Sequence, residues 1–587
     1  MARIRLLQIK NFRALKALNW APFPGLNCLV GPGDSGKSTI LDAIELVLGS
    51  GRYHQFTDAD FYGINIDTPI EIIATIGDLP DEMKNLEAYG DYLCGFNLEN
   101  NDRVDEPAEG LELALTLKLT VGADLVLEKR LYSDRSEGGA QERWINSKHR
   151  DFVSAARLGA SSNQHFAWGA RSVLTKLSQQ ELEIGPLLNQ LSREMRQSFA
   201  ANQPPEVAEL LGTVNGIANG LGVELGELSA QLDVKATSMA SGAIALHNHD
   251  GSPLKQLGTG STRLLLSGLH KHVSNASILL VDEAEHGLEP YRISRLLTEL
   301  GAKGDENAPQ VFITTHSPYV LRELQSQQLC VLRKHLPDSP AFIFGNYSHD
   351  IKRPSADSKT QATIRVCAEA FLSKTVIVCE GKTEVGLVRG LDLFLQETMG
   401  QSLTANGVYC ADGGGGSNFY DRAKVFKQLG YEVCIFKDSD TEAEHVAHTA
   451  GVTALGISIF EWGDGHALES ALFTHCPSNA VTPLMDIAAD WKGADRISAA
   501  IEGYIGNNWN LVLVRENFVD GLRPYLAKLS QGPKKENPNK KWPSWYKDIE
   551  PSERIGREVV GPNLHAFGAE FQTVIRSLMA FGGIDLP

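Results

Sequence analysis

The octapeptide GPGDSGKS, Gly31 to Ser38, constrains this 587-residue chain more than any other stretch. It satisfies G-x-x-x-x-G-K-[ST] in full, follows the apolar run LNCLV and precedes the helical pattern TILDAIELVLG. Strand, glycine loop and helix in that order predict a parallel α/β sheet whose loop wraps phosphate oxygens at a helix N-terminus. Gly31, Gly33 and Gly36 allow backbone N–H groups to turn inward, and Asp34, Ser35 and Thr39 complete the lining. Lys37 is expected to reach the β- and γ-phosphates of a nucleotide, and Ser38 to ligate Mg²⁺.

The matching acid lies far downstream. SILLVDEAEHGLEP holds an apolar strand, Ile278 to Val281, tipped by Asp282 and Glu283. At the tip of a buried parallel strand, Asp282 is placed to hold Mg²⁺ through water and Glu283 to polarise an attacking water. VFITTHSP is a further buried strand tipped by His316, a candidate sensor of the γ-phosphate. Before the acid strand, PLKQLGTGSTRLLLSGL sets Gly258, Gly260 and Ser261 ahead of an apolar helical run.

A second α/β pattern begins at KTVIVCEGKTEVGLV. Its strand, Val376 to Cys379, ends at Glu380, and Glu384 follows four residues later, so both carboxylates can face one patch. YEVCIFKDSDTEAE presents another apolar strand, followed by Asp438 and Asp440 on one side of an extended chain. Parallel strands ending side by side would gather these acids, and their repulsion calls for a cation. Hard oxygen ligands favour Mg²⁺ or Mn²⁺, which serve in-line attack on a phosphodiester. Asp412, in the glycine-rich YCADGGGGSNFYDRA, is a weak candidate; Glu469 opens a helical segment and is either a further ligand or a dipole-favoured charge.

The formal charge is −17, which excludes a uniformly basic nucleic-acid coat but not a local one. Gly532 to Lys547 reverses that sign locally, with Lys534, Lys535, Lys540, Lys541 and Lys547 against the single acid Glu536. Trp542, Trp545 and Tyr546 interleave with them, either to stack on bases or to pack locally. Lys547 is the preferred catalytic lysine and Lys541 the fallback, since a positioned ammonium stabilises transition-state charge. The eight cysteines show no C-x-x-C pair and are expected to be reduced core thiols. No run reaches the ~18 apolar residues of a membrane span, so a cytoplasmic protein without membrane contact is expected.

The ordered set of phosphate loop, GTGS turn, acid strand, Gly287–Leu288–Glu289 turn and His316 resembles the ABC-type ATPases. RLLQIKNFRAL resembles the first strand of their RecF and SMC branch. The resemblance implies ATP with Mg²⁺ as cofactor and a homodimer or higher homo-oligomer formed through the ATPase domain. Gly260 and Ser261 would then complete the nucleotide site of a partner subunit. In HQFTDADF, either Gln55 or Asp60 would stand at the Mg²⁺ side as the Q-loop contact. No long heptad run separates Lys37 from Asp282, so SMC-type coiled-coil arms are not expected.

E-G-x-x-E followed by D-x-D resembles a Toprim domain. An ABC-type ATPase followed by Toprim resembles the OLD (overcoming lysogenization defect) family of nucleases, to which the nuclease subunit of Gabija anti-phage systems belongs. The resemblance implies cleavage of DNA, with Glu380, Glu384, Asp438, Asp440 and Glu469 on the metal-binding positions. It also implies a catalytic lysine in the C-terminal part and a helicase-like or other defence-system partner. The expected architecture is α/β: an ABC-type (RecF/SMC-like) P-loop ATPase domain over 1–345 with a helical, dimerising insertion at about 150–235. A linker at 346–364, a Rossmann-like Toprim domain over 365–480 and a C-terminal helical part over 481–587, completing the nuclease site, follow.

Overall fold

The computed structural model describes residues 2–49, 54–136, 144–146, 149–158, 184–202, 205–221, 223, 226, 228, 230, 246–272, 278–304, 309–334, 349–440, 442–506, 508–532, 542 and 544–586. Three sheets organise them. The first is a seven-stranded antiparallel sheet running from Arg3–Phe12 to Leu127–Tyr132. Its inner face, with Ile4, Leu7, Ile9, Ile72 and Leu117, shares one core with the phosphate-loop helix Lys37–Leu48 and with Leu29, Leu280 and Phe312 of the second sheet.

The second sheet has six strands, in the order His349–Lys352, Leu329–Lys334, Leu26–Val30, Gln310–Thr314, Ile278–Val281 and Ala155–Leu158. Its pairs are parallel except that between His349–Lys352 and Leu329–Lys334. Leu26–Val30, Gln310–Thr314 and Ile278–Val281 are buried at every position, because both sheet faces are covered; this is why they read as unbroken apolar runs. The parallel order brings the phosphate loop, the His316 turn and Asp282 to one carboxyl edge, where such sheets bind ligands.

The third sheet is four-stranded and parallel, in the order Val408–Asp412, Thr375–Cys379, Glu432–Lys437 and Ser458–Glu461. Alternation decides what each face meets. Ile377 and Cys379 join Leu472, Trp545 and Phe571 from the chain that follows the sheet, whereas Val376 and Val378 join Phe371, Leu300 and Leu324 toward the second sheet. The C-terminal part therefore shares a core with the carboxylate-bearing sheet.

Two expectations about organisation need correction. The described part of the expected linker 346–364 is not a plain tether: His349–Lys352 is an edge strand of the second sheet and Ser358–Val366 is a helix capped by the Asp357 side chain. An edge strand exposes one side, so its polar sequence HDIK reads as loop. The insertion at about 150–235 contains helices Ile184–Ala201 and Pro205–Gly220, yet it also includes Ala155–Leu158, a strand of the second sheet. The eight cysteines are free and all but Cys410 are buried. Among the described residues no helix is long and apolar enough to cross a membrane.

Candidate functional site

At the carboxyl edge of the second sheet the phosphate loop is built around Lys37, which is buried at the start of its helix. Its Nζ donates to Gly31 O at 3.0 Å, Pro32 O at 2.9 Å and Ser35 Oγ at 3.4 Å. Burial holds the ammonium pKa below its ordinary value, against Asp34 and Asp282, which pull it up. A methyl group built on Gly31 would stand 2.7 Å from the Leu332 carbonyl, so only glycine fits there. Gly36 and Asp34 take left-handed conformations, at φ 94° and 57°; Gly33 is exposed and Thr39 half-buried in the first helical turn.

Ser38 and Asp282 meet although 244 residues separate them: Ser38 Oγ donates to Asp282 Oδ1 at 3.2 Å. Thr314 Oγ1 donates to the same oxygen at 2.6 Å, and Arg157 Nη2 to Oδ2 at 2.9 Å. Glu283, at φ 49°, donates its N–H to Thr314 Oγ1 at 2.8 Å and keeps a half-exposed carboxylate 3.4 Å from His286 Nδ1. The His316 N–H is held by Glu285 Oε1 at 2.7 Å and its side chain is exposed at the same edge. Gly260 lies against the Gly287 carbonyl, and Ser261 Oγ accepts from Arg292 Nη1 at 3.1 Å. Of the two Q-loop alternatives, Asp60 is buried and accepts from Arg13 Nε at 2.8 Å and Thr57 N at 3.0 Å, while Gln55 is exposed.

Sequence reasoning missed Arg157. One guanidinium joins Asp42 and Glu45 of the phosphate-loop helix to Asp282 of the acid strand. Nothing in a run of residues signals it, because Arg157 stands 125 positions from Asp282.

At the edge of the third sheet, Glu380 Oε2 accepts the Asp438 N–H at 3.0 Å. Asp438 Oδ1 accepts the Leu468 N–H at 2.9 Å, which draws Glu469 beside it. Glu384 turns back on its own helix start, its Oε2 accepting from Gly381 N at 2.8 Å. Burial is the first cause that raises the pKa of Glu380, Glu384, Asp438 and Glu469, and mutual repulsion adds to it. Glu384 is pushed up to about 8 by burial and by Glu380 and Glu469; Asp438 feels Glu384, Glu469, Glu380 and Asp440. Lys547 draws Glu380 and Glu469 the other way, which puts its exposed ammonium within electrostatic reach of the cluster. Asp412 Oδ1 accepts the Gly414 N–H at 2.8 Å. The loop it starts hugs Glu380 from behind, with Gly413 N on Cys379 O at 2.7 Å and Gly415 N on Glu380 O at 2.9 Å.

The donor chemistry fits a hard divalent cation. Five carboxylates repel one another, and Glu469 Oε1 is buried without a hydrogen-bond partner. Among the described residues no three His, Cys, Asp or Glu side chains form a ready metal-holding group; the carboxylates of Glu380, Glu384 and Asp438 hold backbone N–H groups instead. A second residue missed in the sequence is Lys437, 2% exposed, which pairs with Glu461 across the sheet and donates to Asp438 O at 3.1 Å.

Local packing, not base stacking, explains two aromatics of the lysine strip. Trp545 and Tyr546 are fully buried, Trp545 edge-on to Phe473 and Tyr546 Oη donating to Leu484 O at 2.8 Å. They anchor the chain just ahead of Lys547. Lys534, Lys535, Lys540 and Lys541 lie outside the described residues.

Fold and site together define a P-loop ATPase joined to a Toprim unit. A family model described as AAA domain, putative AbiEii toxin, Type IV TA system matches residues 26–322, about half the chain. A second, the TOPRIM domain of overcoming lysogenization defect protein-like proteins, matches 371–440. The chain belongs to the first of these families and, with the second domain in place, is an ATPase–Toprim protein of the OLD type. No curated protein matches it. Among solved structures, the Smc head domain with an extended coiled coil bound to the C-terminal domain of ScpA, from Pyrococcus furiosus, is 14% identical, covering 60% of this chain and 97% of that one with a TM-score of 0.34. The SMC head domain from Thermotoga maritima is 13% identical, covering 60% and 99%, with a TM-score of 0.27.

Proposed function

We propose that the chain is an ATP-binding, divalent-metal-dependent DNA endonuclease, nicking or cutting both strands, whose ABC-type ATPase dimer governs the Toprim site in anti-phage defence. What supports this reading is the electrostatic coupling of Glu380, Glu384, Asp438 and Glu469, to which Asp440 adds. These residues would hold Mg²⁺ or Mn²⁺, which when bound supplies Lewis-acid stabilisation to the attacking and leaving oxygens of a phosphodiester. Lys547 offers an ammonium to the charge that develops on the phosphate. At the other site Lys37, Ser38 and Asp282 bind the nucleotide, Glu283 orients water and His316 senses the γ-phosphate. A helicase-like or other defence-system protein is the expected partner.

The test is cleavage of plasmid and linear DNA with Mg²⁺ or Mn²⁺, with and without ATP. Nicks or breaks are expected from the wild-type chain and none from Glu380→Ala. DNA bound but intact under every metal and nucleotide condition would make it instead a RecF-like, nucleotide-switched DNA-binding protein.

A second copy of the chain is the proposed occupant of the apolar stripes on the insertion helices. Leu187, Leu191 and Met195 recur at i, i+4 and i+8 on one helix, 54%, 41% and 39% exposed. Leu210, Val214, Ile217 and Leu221 follow on and just past the next at i, i+4, i+7 and i+11. Exposed stripes of this kind mark association surfaces. Leu191→Glu combined with Val214→Glu is expected to shift the sedimenting species to monomer; an unchanged oligomer would place the interface elsewhere.

A further inference from the structure

The strand Leu329–Lys334 lies beside the phosphate-loop strand, with Val331 level with Val30. The Leu332 carbonyl lies close to Gly31 of the loop, so that a side-chain carbon there would stand 2.7 Å from it. The next residue, Arg333, is 8% exposed and reaches into the core shared with the third sheet. Its guanidinium carbon stands 3.2 Å from the ring centre of Tyr431. Nη1 touches Ser373 O only at 3.5 Å, and Nε and Nη2 are buried without an acceptor in bonding geometry. Burial opposes its charge, the face of the Tyr431 ring lies against it, and Glu432 is a carboxylate within electrostatic reach. Tyr431 in turn donates its hydroxyl to Phe371 O at 2.7 Å and packs edge-on to Phe371 and Phe426. The strand that starts at the next residue, Glu432–Lys437, delivers Asp438 at its far end.

An apolar side chain would fill this place at lower cost. A guanidinium left under-satisfied in a core breaks a local rule, and such breaks concentrate where a protein has a function to serve. We propose that Arg333 stacked on Tyr431 is the joint through which nucleotide occupancy of the phosphate loop is felt at the carboxylate site. The proposal rests on the Toprim unit being a nuclease under ATPase control, and names the route of that control. Coupling requires an element that both sites bias. The loop side of this element is the Leu332–Gly31 contact, since a loop that closes on phosphates carries the neighbouring carbonyl with it. The nuclease side is the strand from Glu432 to Asp438, whose N–H holds Glu380 Oε2. Between them, a flat stack secured by one long hydrogen bond can slide without breaking directional bonds.

The test compares DNA cleavage with and without a non-hydrolysable ATP analogue in the full chain. Wild-type cleavage is expected to change with the analogue, and Arg333→Lys, which keeps the charge but not the planar stack, is expected to respond by a smaller factor. Arg333→Met is expected to lose the response, while its nucleotide-free cleavage and its affinity for a fluorescent ATP analogue stay within about threefold of wild type. Should Arg333→Met fail to fold, Arg333→Gln carries the same expectations. A methionine or glutamine variant that answers the analogue as wild type does would overturn the joint alone. A wild-type chain whose cleavage ignores the analogue would overturn ATPase control, and the joint with it.

Discussion

Asp438→Asn is expected to lower DNA cleavage by about 10³-fold or more and, without metal, to make the protein more stable. The asparagine keeps an oxygen for the Leu468 N–H, so the backbone around Glu469 stays in place. What disappears is one of five acids crowded at a strand tip, and with it part of the repulsion that Glu384, Glu469, Glu380 and Asp440 exert there. The pH dependence follows from the direction of the shifts. The carboxyls of Glu380, Glu384, Asp438 and Glu469 have folded-state pKa values above their unfolded ones, so the folded chain binds more protons and unfolding releases them. The stability at stake is fully present below about pH 4.5 and is lost as pH rises toward the folded value, about 8 for Glu384. The share of Glu384 alone is at most about 5 kcal/mol. The melting temperature in EDTA is therefore expected to fall between about pH 5 and 8, more steeply in wild type than in Asp438→Asn. Mn²⁺ is expected to restore the wild type at pH 8 and to do little for the variant. Identical melting of the two proteins at pH 8 in EDTA, or unchanged cleavage, would remove Asp438 from the cluster assigned to it.

Lys37→Ala is expected to weaken nucleotide binding by about 10²- to 10³-fold, the usual loss when a buried charged donor is truncated. The ammonium waits on three oxygens of the loop, and burial has already lowered its pKa. A nucleotide phosphate would exchange those neutral acceptors for charged ones, which make stronger hydrogen bonds. Nucleotide-free DNA cleavage should survive in the variant, since the carboxylate cluster has no hydrogen bond to Lys37 or Ser38 among those that hold it. Titration with a fluorescent ATP analogue measures the first effect and plasmid nicking without nucleotide the second. Loss of both together would mean that the two sites form one unit.

Much of the site was legible because its parts are contiguous. A phosphate loop needs its glycines, lysine and serine within eight positions, and a carboxylate at a strand tip follows directly on the apolar run that buries the strand. Glu380, Asp438 and Asp282 could thus be picked from linear patterns. Glu469 could be offered only as an even choice, because its place depends on the Leu468 N–H meeting Asp438 across 30 residues. The segment 346–364 misled for the opposite reason: a half-exposed edge strand carries the residues of a loop.

Sequence alone determined the two chemistries, phosphate binding and clustered acid, and the order in which they occur along the chain. Tertiary structure alone decided their counter-charges and connections: Arg157 between three acids, Lys437 against Glu461, Trp545 and Tyr546 turned inward, Arg333 on Tyr431. The reason is physical. Backbone patterns are set by neighbours a few residues apart, whereas a buried charge is placed by whatever partner the fold brings to it from anywhere in the chain.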